Sequence, residues 1–183
     1  MNIQKEGYPL SISNRLISIL NKEIELHSEV NTSSGCVLNF RDPSYSAESG
    51  GYHPVEICLD EHGRIQYLTD FAYVGDGHYA ELAKELDFDF AYNVFQQIGC
   101  DYPIRQGAGL FKIWQANFCS YYQHKVYTMT VQGECWRGKN QNRLNIQPQR
   151  KKVTGLFGHS LTYNRQTFHL ATIRKNLACV NTH

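Results

Sequence analysis

The sequence predicts an α+β domain in which an antiparallel meander sheet is flanked by an N-terminal helix and a C-terminal helix. Three observations carry that reading. Apolar residues recur at helical spacing in SISNRLISILNKEIEL and again in LFKIWQANFCSYYQ. Between them, HPVEICLD and the segments that follow alternate apolar and polar residues with the period of a half-buried strand. These strand segments are separated by short glycine-containing turns, EHG and DG, which suit antiparallel neighbours. With 183 residues, 42% of them apolar and 19% charged, the chain is long and apolar enough to bury a core.

The elements follow in order. Leu16, Ile17, Leu20 and Ile24 form one stripe of the first helix, with Ser11 or Ser13 able to cap it. After NTSSG, the segment CVLNF reads as a short strand, and RDPSYSAESGG as a connection. From His53 onward His53, Val55, Ile57 and Leu59 share one face of a strand. With EHG as a three-residue turn, Asp60 faces Arg64, Leu59 faces Ile65, Ile57 faces Tyr67 and His53 faces Phe71. A two-residue Asp76-Gly77 turn then places Phe71 opposite Leu82, Tyr67 opposite Leu86 and Ile65 opposite Phe88. AYNVFQQIG is a fourth strand of the meander and CDYPIRQGAG a loop. The helix LFKIWQANFCSYYQ carries a stripe of Leu110, Ile113, Trp114, Asn117 and Tyr121, and KVYTMTV adds a last strand.

Charge divides the chain. Residues 1–131 hold 9 Lys and Arg against 16 Asp and Glu, whereas 132–183 hold 9 against 1. The expected organisation is therefore an α+β domain over 1–131 and a basic, poorly ordered or loosely packed tail over 132–183. No apolar run approaches a membrane span and the start lacks the apolar core of a secretory signal, which predicts a cytoplasmic protein without membrane contact. The six cysteines fall in no CxxC or CxxxC pair and are expected to be mostly reduced, buried thiols.

Candidate sites are few. In the predicted register Glu56, Asp70, Glu81, Glu85, Asp87 and Asp89 lie on the face opposite the apolar one, an acidic surface that suits cations or basic proteins or that simply keeps the sheet solvated. Tyr52 and His53 form a polar lip after Gly50 and Gly51; a histidine there is either a hydrogen-bonded edge residue or a titrating group in a site. The histidines show no HxH, HxxxH or HExxH spacing, so no metal or other cofactor is expected, although distant ligands can still meet in a fold. No GxSxG is present, and Cys119, in an apolar helix, is expected to have its thiol pushed up by burial. No catalytic residue is assigned.

The run GGYHPVEICLDEHGRIQYLTDFAYVGDGHYAELAKELDFDF, followed by FKIWQANFCSYYQHKVYTMTV, resembles a bacterial family of unknown function encoded on genomic islands and mobile elements of Vibrio and related marine bacteria. The resemblance covers roughly residues 8–131 and leaves out the tail. It implies a fold similar to the mitochondrial glycoprotein, or matrix acidic protein, family, in which helices flank a twisted antiparallel sheet and subunits associate through it. It implies no catalytic residues. The functional expectation is a non-enzymatic protein of a mobile element that binds a protein partner or self-associates through its acidic sheet domain. An enzyme with a site near Tyr52 and His53, or a nucleic-acid-associated protein using the basic tail, are the alternatives.

Overall fold

A computed structural model describes residues 1–75 and 79–135 of the chain, all within one compact unit, Met1–Gln141. The expected tail from residue 136 onward and the Asp76-Gly77 turn lie outside the described residues. The element order is α1 (Asn14–Leu26), β1 (Cys36–Arg41), β2 (Val55–Leu59), β3 (Ile65–Val74), β4 (Glu81–Asp89), β5 (Val94–Gln97), β6 (Cys100–Pro103), α2 (Ala108–Gln123) and β7 (Thr128–Gly133). The strands form one antiparallel sheet in the order β6-β5-β4-β3-β2-β1-β7. This is the α+β class expected.

Local chemistry explains the element ends. Ser13 caps α1, its Oγ accepting from the Leu16 amide, which satisfies one of the orphan donors of the first turn. The EHG turn has Gly63 at φ +74, where a Cβ would stand 2.3 Å from the Asn2 carbonyl, so only glycine fits. The turn places Asp60 against Arg64 and Leu59 against Ile65, as expected.

Both helices pack on one face of the sheet. Leu16, Leu20 and Ile24 of α1 and Phe111, Trp114 and Phe118 of α2 join Leu38, Phe40, Ile57, Leu68, Phe88 and Phe95 in a single core. The stripe of α2 differs from the expected one. Its buried positions are Phe111, Trp114, Gln115, Phe118 and Cys119, while Ile113 is 59% exposed. The stripe is rotated because the aromatic rings Phe111, Trp114 and Phe118 stack in series on the sheet and take more buried area than Ile113 offers.

Two bulges correct the expected registers. Between Cys58 and Leu59 the pairing slips by one, leaving Gln66 without an opposite residue, so Ile57 faces Leu68 and Cys58 faces Tyr67. Between Asp70 and Phe71 it slips again, leaving Glu85 extra: Asp70 faces Leu86 and Phe71 faces Lys84. Tyr67 consequently lies on the face away from Ile57. Phe71 misses Leu82 for a separate reason: on the turn side of the bulge Val74 already pairs with Glu81 and Tyr73 with Leu82, two residues off the register of a two-residue turn. One extra residue on one strand shifts every later pair, which alternation alone does not reveal. CDYP, expected as loop, forms edge strand β6 after a two-residue turn in which Ile98 (φ 47) and Gly99 (φ 73) are both left-handed. The turn signal was masked because an isoleucine fills a position that asparagine or glycine usually takes.

The thiol expectation is corrected for one pair. Cys58 and Cys135 form a disulfide across 77 residues. β7 pairs with β1 and β1 with β2, so Cys36 has both Leu59 and Gly133 as partners; this brings the chain after β7 to the end of β2. Cys36 and Cys119 are buried outside the disulfide, and burial pushes both thiols up. No helix of the described residues is long and apolar enough to cross a membrane.

Candidate functional site

The expected acidic face is divided between the two sides of the sheet. Cross-strand pairing puts Glu56, Tyr67, Thr69, Asp87 and Asp89, together with Gln96 and Asp101, on the face that carries no helix among the described residues, termed the helix-free face. There Tyr67 Oη donates to Glu56 Oε1 at 2.6 Å, Thr69 Oγ1 donates to Asp87 Oδ1, and Lys84 Nζ lies 3.0 Å from Asp87 Oδ2 and over the Tyr67 ring. Asp89 Oδ1 accepts from the Tyr92 amide, and Gln96 Nε2 donates to Asp101 Oδ1. These carboxylates are hydrogen-bonded and Asp87 and Asp89 are buried, with Lys84 and Arg41 as the cations of this face among the described residues. Glu81 is exposed at the start of β4, paired with Val74.

Asp70 and Glu85 leave that group and join His53. Asp70 faces the helices, because it sits opposite Val55 and two residues from Leu68 on β3. Glu85 is the extra residue of the β4 bulge, and a bulge re-aims the side chain it carries. His53, two residues before β2, places Nδ1 2.8 Å from Asp70 Oδ1 and 3.0 Å from Glu85 Oε2. One ligand-type atom from each of the three lies within 4.8 Å of the others. The second Asp70 oxygen, Oδ2, accepts from Trp114 Nε1 at 2.8 Å. Tyr45 closes one side, its ring 5.4 Å from the imidazole and its Oη accepting from the Tyr73 amide. Tyr52 packs edge-on against Tyr121 rather than reaching the cluster.

The electrostatics follow from this packing. Burial works against a charge on His53, but the hydrogen bonds and negative charge of Asp70 and Glu85 outweigh it and hold the imidazolium up to about 10. Burial pushes the Asp70 carboxyl up, while the bonds from His53 and Trp114 act in the other direction. The proton belongs on His53, the group flanked by two carboxylates.

His53, Asp70 and Glu85 were each visible in the sequence as candidates, but not as one group. Trp114 and Tyr45 were missed as members. In the sequence Trp114 belongs to the apolar stripe of a helix, and its indole N–H, a donor that needs a partner when buried, is the signal that it meets a polar group.

Comparison with known proteins gives a consistent picture. The chain is similar to the hypothetical protein VC0508 from the VSP-II pathogenicity island of Vibrio cholerae, with 35% identity, 70% of this chain and 98% of that chain covered, and a TM-score of 0.60. It is equally similar to the conserved hypothetical protein VC1805 from pathogenicity island VPI-2 of Vibrio cholerae O1 biovar eltor str. N16961, whose structure is described as sharing structural homology with the human P32 protein. That match has 35% identity, 69% and 98% coverage and a TM-score of 0.59. No curated protein matches the chain. The model of a family described as Protein of unknown function (DUF2787) matches residues 14–132, from the first turn of α1 to the end of the sheet, and the chain belongs to that family.

Proposed function

We propose that the domain is a non-enzymatic binding module that takes a basic segment of a protein partner on the helix-free face of its sheet. The observation that supports this most is the charge on that face: half-buried Glu56 and exposed Asp101 against exposed Arg41, with Asp87 and Asp89 buried beneath and bonded to Thr69, Lys84 and the Tyr92 amide. Lys84 offsets Asp87, which leaves half-buried Glu56 and exposed Asp101 as the carboxylates a partner reaches first. Complementary charge on such a surface steers encounter and weakens with salt. A fluorescently labelled lysine-rich peptide, titrated against the full chain, should bind with an affinity that falls as salt rises and drops at least tenfold in an E56K/D101K variant. The control E25K/E29K reverses exposed charges on and after α1 and should bind like the unmodified protein. No binding, or an equal loss in both variants, contradicts the proposal; a salt-insensitive dimer by sedimentation, blocked in E56K/D101K, would assign the face to a second copy instead.

A second reading, an enzyme with its site at His53, draws on the 2.8 Å contact between His53 and Asp70, the relation of a base to its orienting carboxylate. The second carboxylate counts against it. With Nδ1 bonded to Asp70 and Glu85 and the imidazolium held at about 10, His53 keeps its proton at neutral pH and is a poor general base.

A further inference from the structure

We propose that His53, Asp70 and Glu85 bind a divalent cation of the zinc class. The three residues come from separate stretches of chain and converge with donor atoms within 4.8 Å of one another, one imidazole nitrogen and two carboxylate oxygens. That donor set suits borderline first-row divalent ions, and three protein ligands leave a coordination position for water, as in zinc sites that keep one position open. The opening exists: the side chains of His53 and Glu85 are 25% and 27% exposed, whereas Asp70 lies beneath them.

Two features of the surroundings are those of a built site. Asp70 offers Oδ1 to the cluster while Oδ2 is fixed by the Trp114 indole N–H, an outer hydrogen bond of the kind that orients a ligating carboxylate. Glu85 reaches the cluster because the β4 bulge supplies an extra residue at that point; a regular strand would send it to the opposite face. The Nδ1 proton now stands between the two carboxylates. Cation binding displaces it to solvent and puts a divalent charge at the same focus, with His53 neutral, Asp70 and Glu85 ionised, and the carboxylates repositioned from nitrogen to metal.

The test uses the full chain, stripped with a chelator and dialysed. Zinc chloride titrated calorimetrically should bind one equivalent per chain, and zinc should raise the thermal midpoint. Cobalt chloride should give the visible d–d bands of a nitrogen and oxygen site without thiolate charge transfer. H53N and E85Q should each weaken zinc binding at least tenfold, and W114F, which keeps all three ligands, should weaken it by about tenfold. E85Q removes only a partly exposed charge, so a folded variant is available even if D70N does not fold. Absence of saturable binding would overturn the proposal. So would one-equivalent binding that persists unchanged in H53N and E85Q, or a thiolate band in the cobalt spectrum, either of which moves the metal to another site. Peptide binding on the helix-free face is read in a separate assay, so failure here leaves that reading standing.

Discussion

Trp114 is the residue on which the His53 cluster rests from below. Its Nε1–H donates to a buried carboxylate, and replacing it with phenylalanine keeps the stacked rings of Phe111 and Phe118 while removing that donor. The expected cost of Trp114→Phe is about 1.5–3 kcal/mol, the range for a hydrogen bond to a charged group, measured by denaturant unfolding. A loss within about 0.5 kcal/mol would mean that Asp70 finds another donor. A second residue-scale prediction concerns Tyr122, whose Oη donates to buried Glu23. Burial, then the Glu23 hydrogen bond and charge, hold its phenol well above the usual tyrosine range. An acid whose folded pKa is raised contributes stability that is intact below its unfolded pKa, near 10, and is lost as pH rises above it. Stability should therefore fall above pH 10, and Tyr122→Phe should flatten that fall while weakening the protein at neutral pH. An unchanged alkaline slope in the variant would place the loss elsewhere.

Elements were legible where one local signal set them. The first helix, the EHG turn and the succession of strands β1 to β5 and β7 along the chain follow from periodicity and turn chemistry, while the choice of Ser13 over Ser11 as cap and the place of β7 beside β1 do not. What the sequence did not reveal were the bulges at Gln66 and Glu85, because an inserted residue leaves the apolar-polar alternation on either side looking regular. That is also why the candidate site was only half legible: Glu85 and Asp70 were grouped with Asp87 and Asp89 by parity, and the bulge moves Glu85 to the His53 side. The rotated stripe of α2 had a different cause, competition between aromatic and aliphatic residues for one groove. The core assignment of β2 withstands these shifts, since Ile57 is fully buried against Leu38 and Leu68. Ile57→Ala should cost about 2–5 kcal/mol, whereas Glu56→Gln, on the other face, partly exposed and still able to accept from Tyr67, should cost under about 1.5 kcal/mol. Similar small losses at both positions would refute the face assignment.

At the scale of the whole molecule, the Cys58–Cys135 bond ties the end of the sheet's last strand back to β2. A crosslink enclosing 77 residues of separation stabilises chiefly by restricting the unfolded chain, and Cys135→Ser should lower the stability of the oxidised protein by about 2–4 kcal/mol. Dithiothreitol should lower the native protein by a similar amount and leave the variant unchanged; a further loss in the variant would indicate another disulfide. The same bond lies on the helix-free face, because Cys58 pairs with Tyr67 there, so this face carries both the acidic side chains and the disulfide. The most direct test of the account is to map where a lysine-rich peptide touches the isotopically labelled protein by amide chemical-shift perturbation. Shifts concentrated at Glu56, Asp87, Gln96 and Asp101, reduced in E56K/D101K, are the expected result; shifts confined to α1 and α2, or none at saturating peptide, would contradict it.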